Sequence, residues 1–319
     1  MDMNTPEQSQ ISAATTVMLE SDKPTGEQPM ELFITDEHTE HYLALQAGSG
    51  SDRGLWTGIL GGIGGCASIW LGLLGALQGK FDVTFMMFSI GVPLFFVPFL
   101  FETLRPLPLP ILFNRRTREV YFDHEGELFH TPWDGISAEA KEFQLVGPHI
   151  GGMQSAALEI RVWSFEKPDI SLMVSLGSPF GKSLEMQKGF WEYIRSYMNN
   201  GPYFDEHGHH SESDAFVQSQ LSVQPKMSDS FRQTLERIKH AKQENGGKNF
   251  LRGIDVLGLV LDLCFYPTCR IQELTYSLAK RRSRNLWPKV VAERLKANGP
   301  STRLVDLEYE QGLSVSRAI

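Results

Sequence analysis

Apolar residues are not spread evenly along this chain. From Gly54 to Gln78 runs GLWTGILGGIGGCASIWLGLLGALQ, 25 residues without a charge, and after Gly79, Lys80, Phe81 and Asp82 a second uncharged stretch, VTFMMFSIGVPLFFVPFLF, reaches Phe101. Each is long enough, at about 1.5 Å per residue, to cross a hydrocarbon core about 30 Å thick. Core helices of soluble proteins seldom stay uncharged on every face for so long, so the pattern predicts a two-helix transmembrane hairpin over 54–101. The first stretch holds eight glycines, and Gly54/Gly58, Gly58/Gly62 and Gly61/Gly65 recur at four-residue spacing. Small residues so placed let a neighbouring helix approach closely, and the bulky second stretch, with Phe85, Phe88, Phe95, Phe96 and Phe99, is the expected neighbour. Pro93 and Pro98 are expected to distort the second helix.

Before the hairpin the chain is acidic and polar, with ten Asp and Glu against Lys23 and Arg53. Residues 1–53 therefore read as largely disordered, with Glu31 to Ala47 as a candidate short docked element. After the hairpin, RPLPLP at 105–110 suggests an extended spacer. Over 102–202, ILFNRRTREVYF, HEGELFHTPW, Ala156 to Ser164 and Ile170 to Leu176 suggest antiparallel strands separated by turns. Lys182 to Asn199 puts Leu184, Gln187, Phe190, Trp191, Ile194 and Met198 near one face of a closing helix. The fold class expected is thus an α+β membrane protein: a transmembrane hairpin, a small antiparallel β module of pleckstrin-like kind closed by a helix, and C-terminal helices. Residues 203–227 read as a polar linker and 228–319 as a helical region. Within the latter, Phe250 to Tyr266 is apolar but carries Arg252, Asp255 and Asp262, so an amphipathic helix is expected there in preference to a third span. Lys280, Arg281, Arg282 and Arg284 make a basic cluster suited to touching anionic lipid, although a solvated helix end accounts for it more simply.

Charge narrows the setting. The net charge of −8 speaks against a nucleic-acid binder, leaving lipid and protein as expected partners. Arg53 before the first span and Arg105, Arg115, Arg116 and Arg118 after the second outweigh Lys80 in the turn, which places both termini in the cytoplasm. The apolar block begins too far along the chain for a cleavable signal sequence, and Cys66, Cys264 and Cys269 make no disulfide framework.

FNRRTREVYF at 113–122, PWD at 132–134 and GFWEYIRSYMNNGP at 189–202 resemble, in order and spacing, an uncharacterised family of proteobacterial membrane proteins. In that family a transmembrane hairpin precedes an Asn-Arg strand motif, a Trp-Asp motif and a W-x-x-I-R-x-x-M helix. Its members are often encoded near type VI secretion effectors. The resemblance spans roughly residues 50 to 300, and implies a bacterial inner-membrane protein acting as an accessory or immunity-type partner, with a secretion component or effector as its protein partner. It transfers no catalytic residue. The motif positions Asn114, Arg115, Trp133, Asp134 and Arg195 are the candidate binding residues. Their bland explanation is structural: Trp133 and Trp191 as core anchors, and an Arg115–Asp134 ion pair fixing strand register. The alternative is a lipid-headgroup or peptide-binding surface on the β module.

No catalytic constellation emerges, and no cofactor or metal is expected. LGSPFGKS at 176–183 lies between a strand and a helix as a phosphate loop would, but Gly177 is one residue too close to Gly181. A membrane-associated NTPase using Lys182 and Ser183, with Asp262 as a distant second acid, is the enzymatic alternative; a membrane-active toxin is another. His207, His209 and His210 beside Asp205 and Glu206 sit in a polar run without a rigid scaffold, and His38 and His41 lack a third ligand. Ser178 lacks the second glycine of a nucleophile elbow.

Overall fold

The computed structural model describes residues 15–47, 53–147, 151–179, 181–222, 230–244, 253–282, 286–310 and 312. The chain forms two compact units, one of residues 1–48, 108–223 and 286–319, the other of 49–107 and 224–285.

The first unit is a curled antiparallel sheet of nine strands: β1 Thr15–Glu20, β2 Thr35–His38, β3 Tyr42–Leu45, β4 Ile111–Asn114, β5 Glu119–His124, β6 Glu127–Pro132, β7 Ser137–Gly147, β8 Gly151–Ser164 and β9 Ser171–Ser175. The order is β1-β7-β8-β6-β5-β4-β3-β2, with β9 paired to β8. Period-two alternation divides the side chains between two cores. Leu43, Leu45, Ile111, Phe113, Val120 and Phe129 point to the side covered by α3 (Leu184–Asn200), where Trp191, Tyr193 and Tyr197 meet them. Ala44, Leu112, Tyr121 and Leu128 point the other way, onto Val291 of α7 (Lys289–Arg294) and Leu304 of α8 (Leu304–Glu310). A sheet buried on both faces explains why ILFN is buried throughout.

Three boundaries move as a result. The N-terminal segment is not largely disordered over its described part: β1 lies ahead of the element expected to dock, and β2 and β3 form that element over Glu31 to Ala47, with Leu43 and Leu45 fully buried. Its acids are absorbed locally: Glu31 is 3% exposed and its carboxylate accepts the N–H groups of Phe33, Ile34 and Thr35. Residues 203–227 are not a solvated linker over their described part, since Phe204 and Val217 are core residues and α4 spans Ala215–Ser222. Finally, 228–319 is no single region. Helices α7 and α8 complete the sheet's outer core, whereas α5 (Ser230–Glu244) and α6 (Gly253–Arg282) belong with the hairpin.

In the second unit the first apolar stretch is π-helical over Thr57–Gly65 and continues as α1, Cys66–Leu77; after a turn with Gly79 at φ +72°, α2 runs Phe81–Leu104. The helices Thr57–Leu77 and Phe81–Leu104, 21 and 24 residues, are long and apolar enough to cross a membrane, and only 22% and 6% of their most apolar windows are buried. Helix α2 extends past Phe101 through Glu102 to Leu104.

The glycines serve two neighbours. Gly61, Gly65, Gly72 and Gly75 face α2: a Cβ on Gly65 would lie 3.1 Å from that of Phe95, and one on Gly75 3.0 Å from Thr84 Oγ1. Gly54, Gly58 and Gly62 face α6, where the same addition would come within 2.5 Å of Gln272 O, 2.9 Å of Thr268 O and 2.9 Å of Thr268 Oγ1. Packing within the hairpin thus accounts for only one of the two stripes. Gln272 beside Gly54 and Thr268 beside Gly62 also make α6 antiparallel to the first span.

Glu102 closes the base of the hairpin. It is 4% exposed, and its carboxylate accepts the backbone N–H groups of Gly54 (3.1 Å), Trp56 (3.3 Å) and Thr57 (2.9 Å) together with the Thr57 hydroxyl. Those are donors at a helix start that have no partner within the helix, and an anion suits the positive end of the helix dipole. Arg53 completes the closure by donating to Glu102 O and Pro106 O.

Candidate functional site

The sheet unit carries an open cleft of about 920 Å³ between the end of β1, the turn after β6 and the C-terminal turn of α3. Its polar lining includes Glu20, Ser21, Arg118, Asp134, Arg195 and Asn199. Each is placed by a local sequence device. The β4–β5 turn is built by Asn114, whose Oδ1 accepts the N–H of Arg116 (2.9 Å) and of Thr117 (3.2 Å). Arg118 leaves this turn at φ +51°, its carbonyl accepting the N–H of Trp133 at 2.8 Å. That bond brings the Asn-Arg and Trp-Asp motifs together.

Asp134 therefore pairs with Arg118, at 2.6 Å from Nη2 and 2.8 Å from Nε, and more loosely with Arg303 at 3.6 Å. The expected Arg115–Asp134 ion pair is not formed. Arg115 sits three residues earlier, at the opposite end of the turn, where its guanidinium donates to Glu40 O and lies 5.7 Å from the Tyr197 ring centre.

Asn199 ties the cleft floor to the core. Its Oδ1 accepts from Trp133 Nε1 (2.8 Å) and Arg118 Nη2 (3.1 Å), and its Nδ2 donates to Ser21 O (2.7 Å). Trp133 is fully buried, 5.2 Å from Trp191 between ring centres. Arg195 is neutralised by Glu192, which also accepts from Thr25 N and Oγ1. Of the five candidate residues, Asp134 and Arg195 line the cleft, Trp133 lies beneath it, and Asn114 and Arg115 lie outside it. Asn114 instead donates from Nδ2 to Arg294 O, clamping the C-terminal segment. Sequence reasoning missed Arg118, Asn199 and Ser21; the third arginine of NRRTR and the Asn pair before Gly201 carried the first two.

Comparison with known protein families, characterised proteins and solved structures finds no match to this chain.

The other candidates are held in structural roles. In LGSPFGKS the Ser183 hydroxyl caps α3, accepting the N–H of Met186 at 3.3 Å. Lys182 Nζ turns inward near Gly177, and burial lowers its pKa, partly opposed by Glu31. The acids and histidines of 205–210 fold into a tight loop in which Asp205 accepts the N–H groups of His207 (2.9 Å) and His209 (2.8 Å). No group of three metal-ligating side chains is assembled among the described residues. His38 lies between Tyr193 OH (3.0 Å) and Pro202 O (2.7 Å), with burial lowering its pKa. On the opposite face, buried His130 bridges Glu119 (3.5 Å) and Glu308 (3.0 Å), and Glu119 also accepts from Tyr121 OH and Val305 N, fixing α8 to the sheet.

Proposed function

We propose that this chain is a non-catalytic binding protein anchored in the bacterial inner membrane by the 54–104 hairpin, with both termini cytoplasmic. Its cleft takes up a protein partner, and the accessory or immunity-type role in type VI secretion rests on the resemblance of the 113–202 motifs. The observation that carries the binding reading is the cleft itself. Two of the family-type motifs, Trp-Asp and Trp-x-x-Ile-Arg, meet there with paired charges. Paired Arg and Asp side chains at a rim suit a polar protein surface, where they fix register more than they add affinity. The largely unburied apolar helices carry the membrane reading.

The test is detergent co-purification of the full chain with a photo-crosslinking residue at Ser137 or Asn200. A type VI component or effector is expected to crosslink, and to be lost in Arg118→Glu. Recovery of neither, with the chain intact and membrane-bound, would remove the secretion role. Crosslinking unaffected by Arg118→Glu would move the binding site away from the cleft.

A further inference from the structure

Charge divides sharply between the two units. Residues 49–107 and 224–285 together hold 15 Lys and Arg against 9 Asp and Glu, whereas the rest of the chain holds 15 against 29. In a chain of net charge −8, the unit bearing the apolar helices is positive. The surplus lies in 224–285, with 12 basic and 6 acidic residues. A solvated helix end explains one cluster of lysines and arginines, but not a whole unit of inverted sign.

The glycine contacts locate part of that charge relative to the apolar span. Gln272 packs on Gly54, where the uncharged stretch begins, and α6 continues antiparallel to the span from there. Lys280, Arg281 and Arg282, all exposed, follow eight to ten residues further on. At about 1.5 Å per residue they lie roughly 12–15 Å beyond Gly54 along the helix. The interfacial layer is about 5–8 Å deep outside the hydrocarbon core, and screening at physiological salt acts over about 8 Å. The three side chains, each several ångströms long, thus reach the headgroup region. Arg105, exposed at the end of α2, stands at the same level as Arg53. Helix α5 packs on α6 and exposes Arg237, Lys239 and Lys242.

We propose that Lys280, Arg281 and Arg282, with Arg105, bind the anionic phospholipid headgroups of the leaflet from which both ends of the hairpin emerge. The occupant is a bilayer surface, because the cluster is continuous with the apolar helices and its charge is complementary to a leaflet rich in acidic lipid. This inference rests on the membrane-anchor reading. Its consequence is a collar that holds α6 against the glycine groove of the first span and fixes how far the hairpin is inserted.

The experiment uses the full chain in nanodiscs of phosphatidylcholine alone and of phosphatidylcholine with phosphatidylglycerol, followed by mild detergent release and measurement of the lipids retained per protein. About five-fold or greater enrichment of phosphatidylglycerol over its bulk fraction is expected at low salt, falling toward unity in 0.5 M salt, as expected for interfacial charge pairing. K280Q/R281Q/R282Q should lose most of the enrichment, while the control K23Q/K167Q/K289Q, in the sheet unit, should keep it. Incorporation into pure phosphatidylcholine without any preference for phosphatidylglycerol overturns the collar and leaves the anchor standing. Equal enrichment in both triple variants likewise overturns it. Failure to incorporate into either nanodisc overturns the anchor and the collar together.

Discussion

Removing the Glu102 carboxylate tests the hairpin base most directly. In Glu102→Ala the N–H groups of Gly54, Trp56 and Thr57 and the Thr57 hydroxyl lose their common acceptor in a site only 4% exposed. A buried donor left unpaired costs about 1–3 kcal/mol, and loss of an N-terminal cap about 1–2 kcal/mol. These are one event counted two ways, because the Thr57 hydroxyl can rotate to another acceptor and water at the interface can reach part of the site. The net expectation is about 2–4 kcal/mol, with about 1 kcal/mol of it from the helix dipole. Glu102→Gln keeps one acceptor oxygen but turns an NH₂ toward the remaining donors, so it should lose about half as much. The assay is thermal unfolding of the full chain in detergent, followed by tryptophan fluorescence, with Trp56 and Trp70 both in the first span. At about 2–4 °C per kcal/mol, Glu102→Ala should melt roughly 4–16 °C lower. Combining it with Thr57→Val should show non-additivity, since the two share a bond. A loss below about 0.5 kcal/mol for Glu102→Ala, or full additivity, would refute the closure described above.

Four further outcomes follow from contacts of the same kind. Gly62→Val places a branched side chain where a single Cβ already comes within 2.9 Å of Thr268 Oγ1. It should weaken α6 packing by about 1–3 kcal/mol, read as faster proteolysis of 224–285, whereas Gly79→Asn, in open space at φ +72°, should change nothing measurable. Asn199→Ala strips the partner from Trp133 Nε1 and frees Ser21 O, and should cost about 2–3 kcal/mol in denaturant midpoint while Asn200→Ala costs less. Glu308→Ala removes one of the two carboxylates that His130 bridges and should raise protease sensitivity of 286–310, by about 2–4 kcal/mol of local stability, before the sheet itself unfolds. Burial, reinforced by Arg115 and opposed by the Pro202 carbonyl, lowers the folded-state pKa of His38. Between its unfolded value near 6.5 and that lower value the unfolded chain binds more protons, so stability should fall as pH drops below about 6.5, and His38→Gln should flatten the dependence.

How much of this was legible in the sequence varies with the kind of signal. The two long apolar helices were readable because uncharged length needs no partner for its interpretation, and α3 because its apolar period is strong over Leu184–Asn200. The region of β2 and β3 showed only as a candidate docked element because Glu31 beside them is buried and satisfied by backbone amides, and composition registers an acid without registering its acceptor role. ILFN and EVYF gave strands but not their second buried face, since the residues that cover Leu112 and Tyr121 are Val291 and Leu304, about 180 positions later. Of the candidate site, the motifs pointed to the right neighbourhood and the wrong arginine. Which of Arg115, Arg116 and Arg118 meets Asp134 depends on the left-handed residue that ends the β4–β5 turn, and that conformation at an arginine carries no signature in the residue types.

The glycines of the first span show what a second partner does to a pattern read with one in mind. A stripe at four-residue spacing says that something approaches closely, not what approaches, and eight glycines in 25 residues are more than one stripe requires. Two sets, Gly54/Gly58/Gly62 against α6 and Gly61/Gly65/Gly72 against α2, need two neighbours, and α2 supplies only one. The second is a helix more than 160 residues later in the chain, whose last turn is basic while its middle is apolar. Glycine lowers the cost of that approach but contributes little adhesion of its own, since each contact it permits is a weak dispersion contact. Helices α2 and α5 also pack on α6, and in the collar proposed above the charge at its exposed end adds a bilayer surface to that packing.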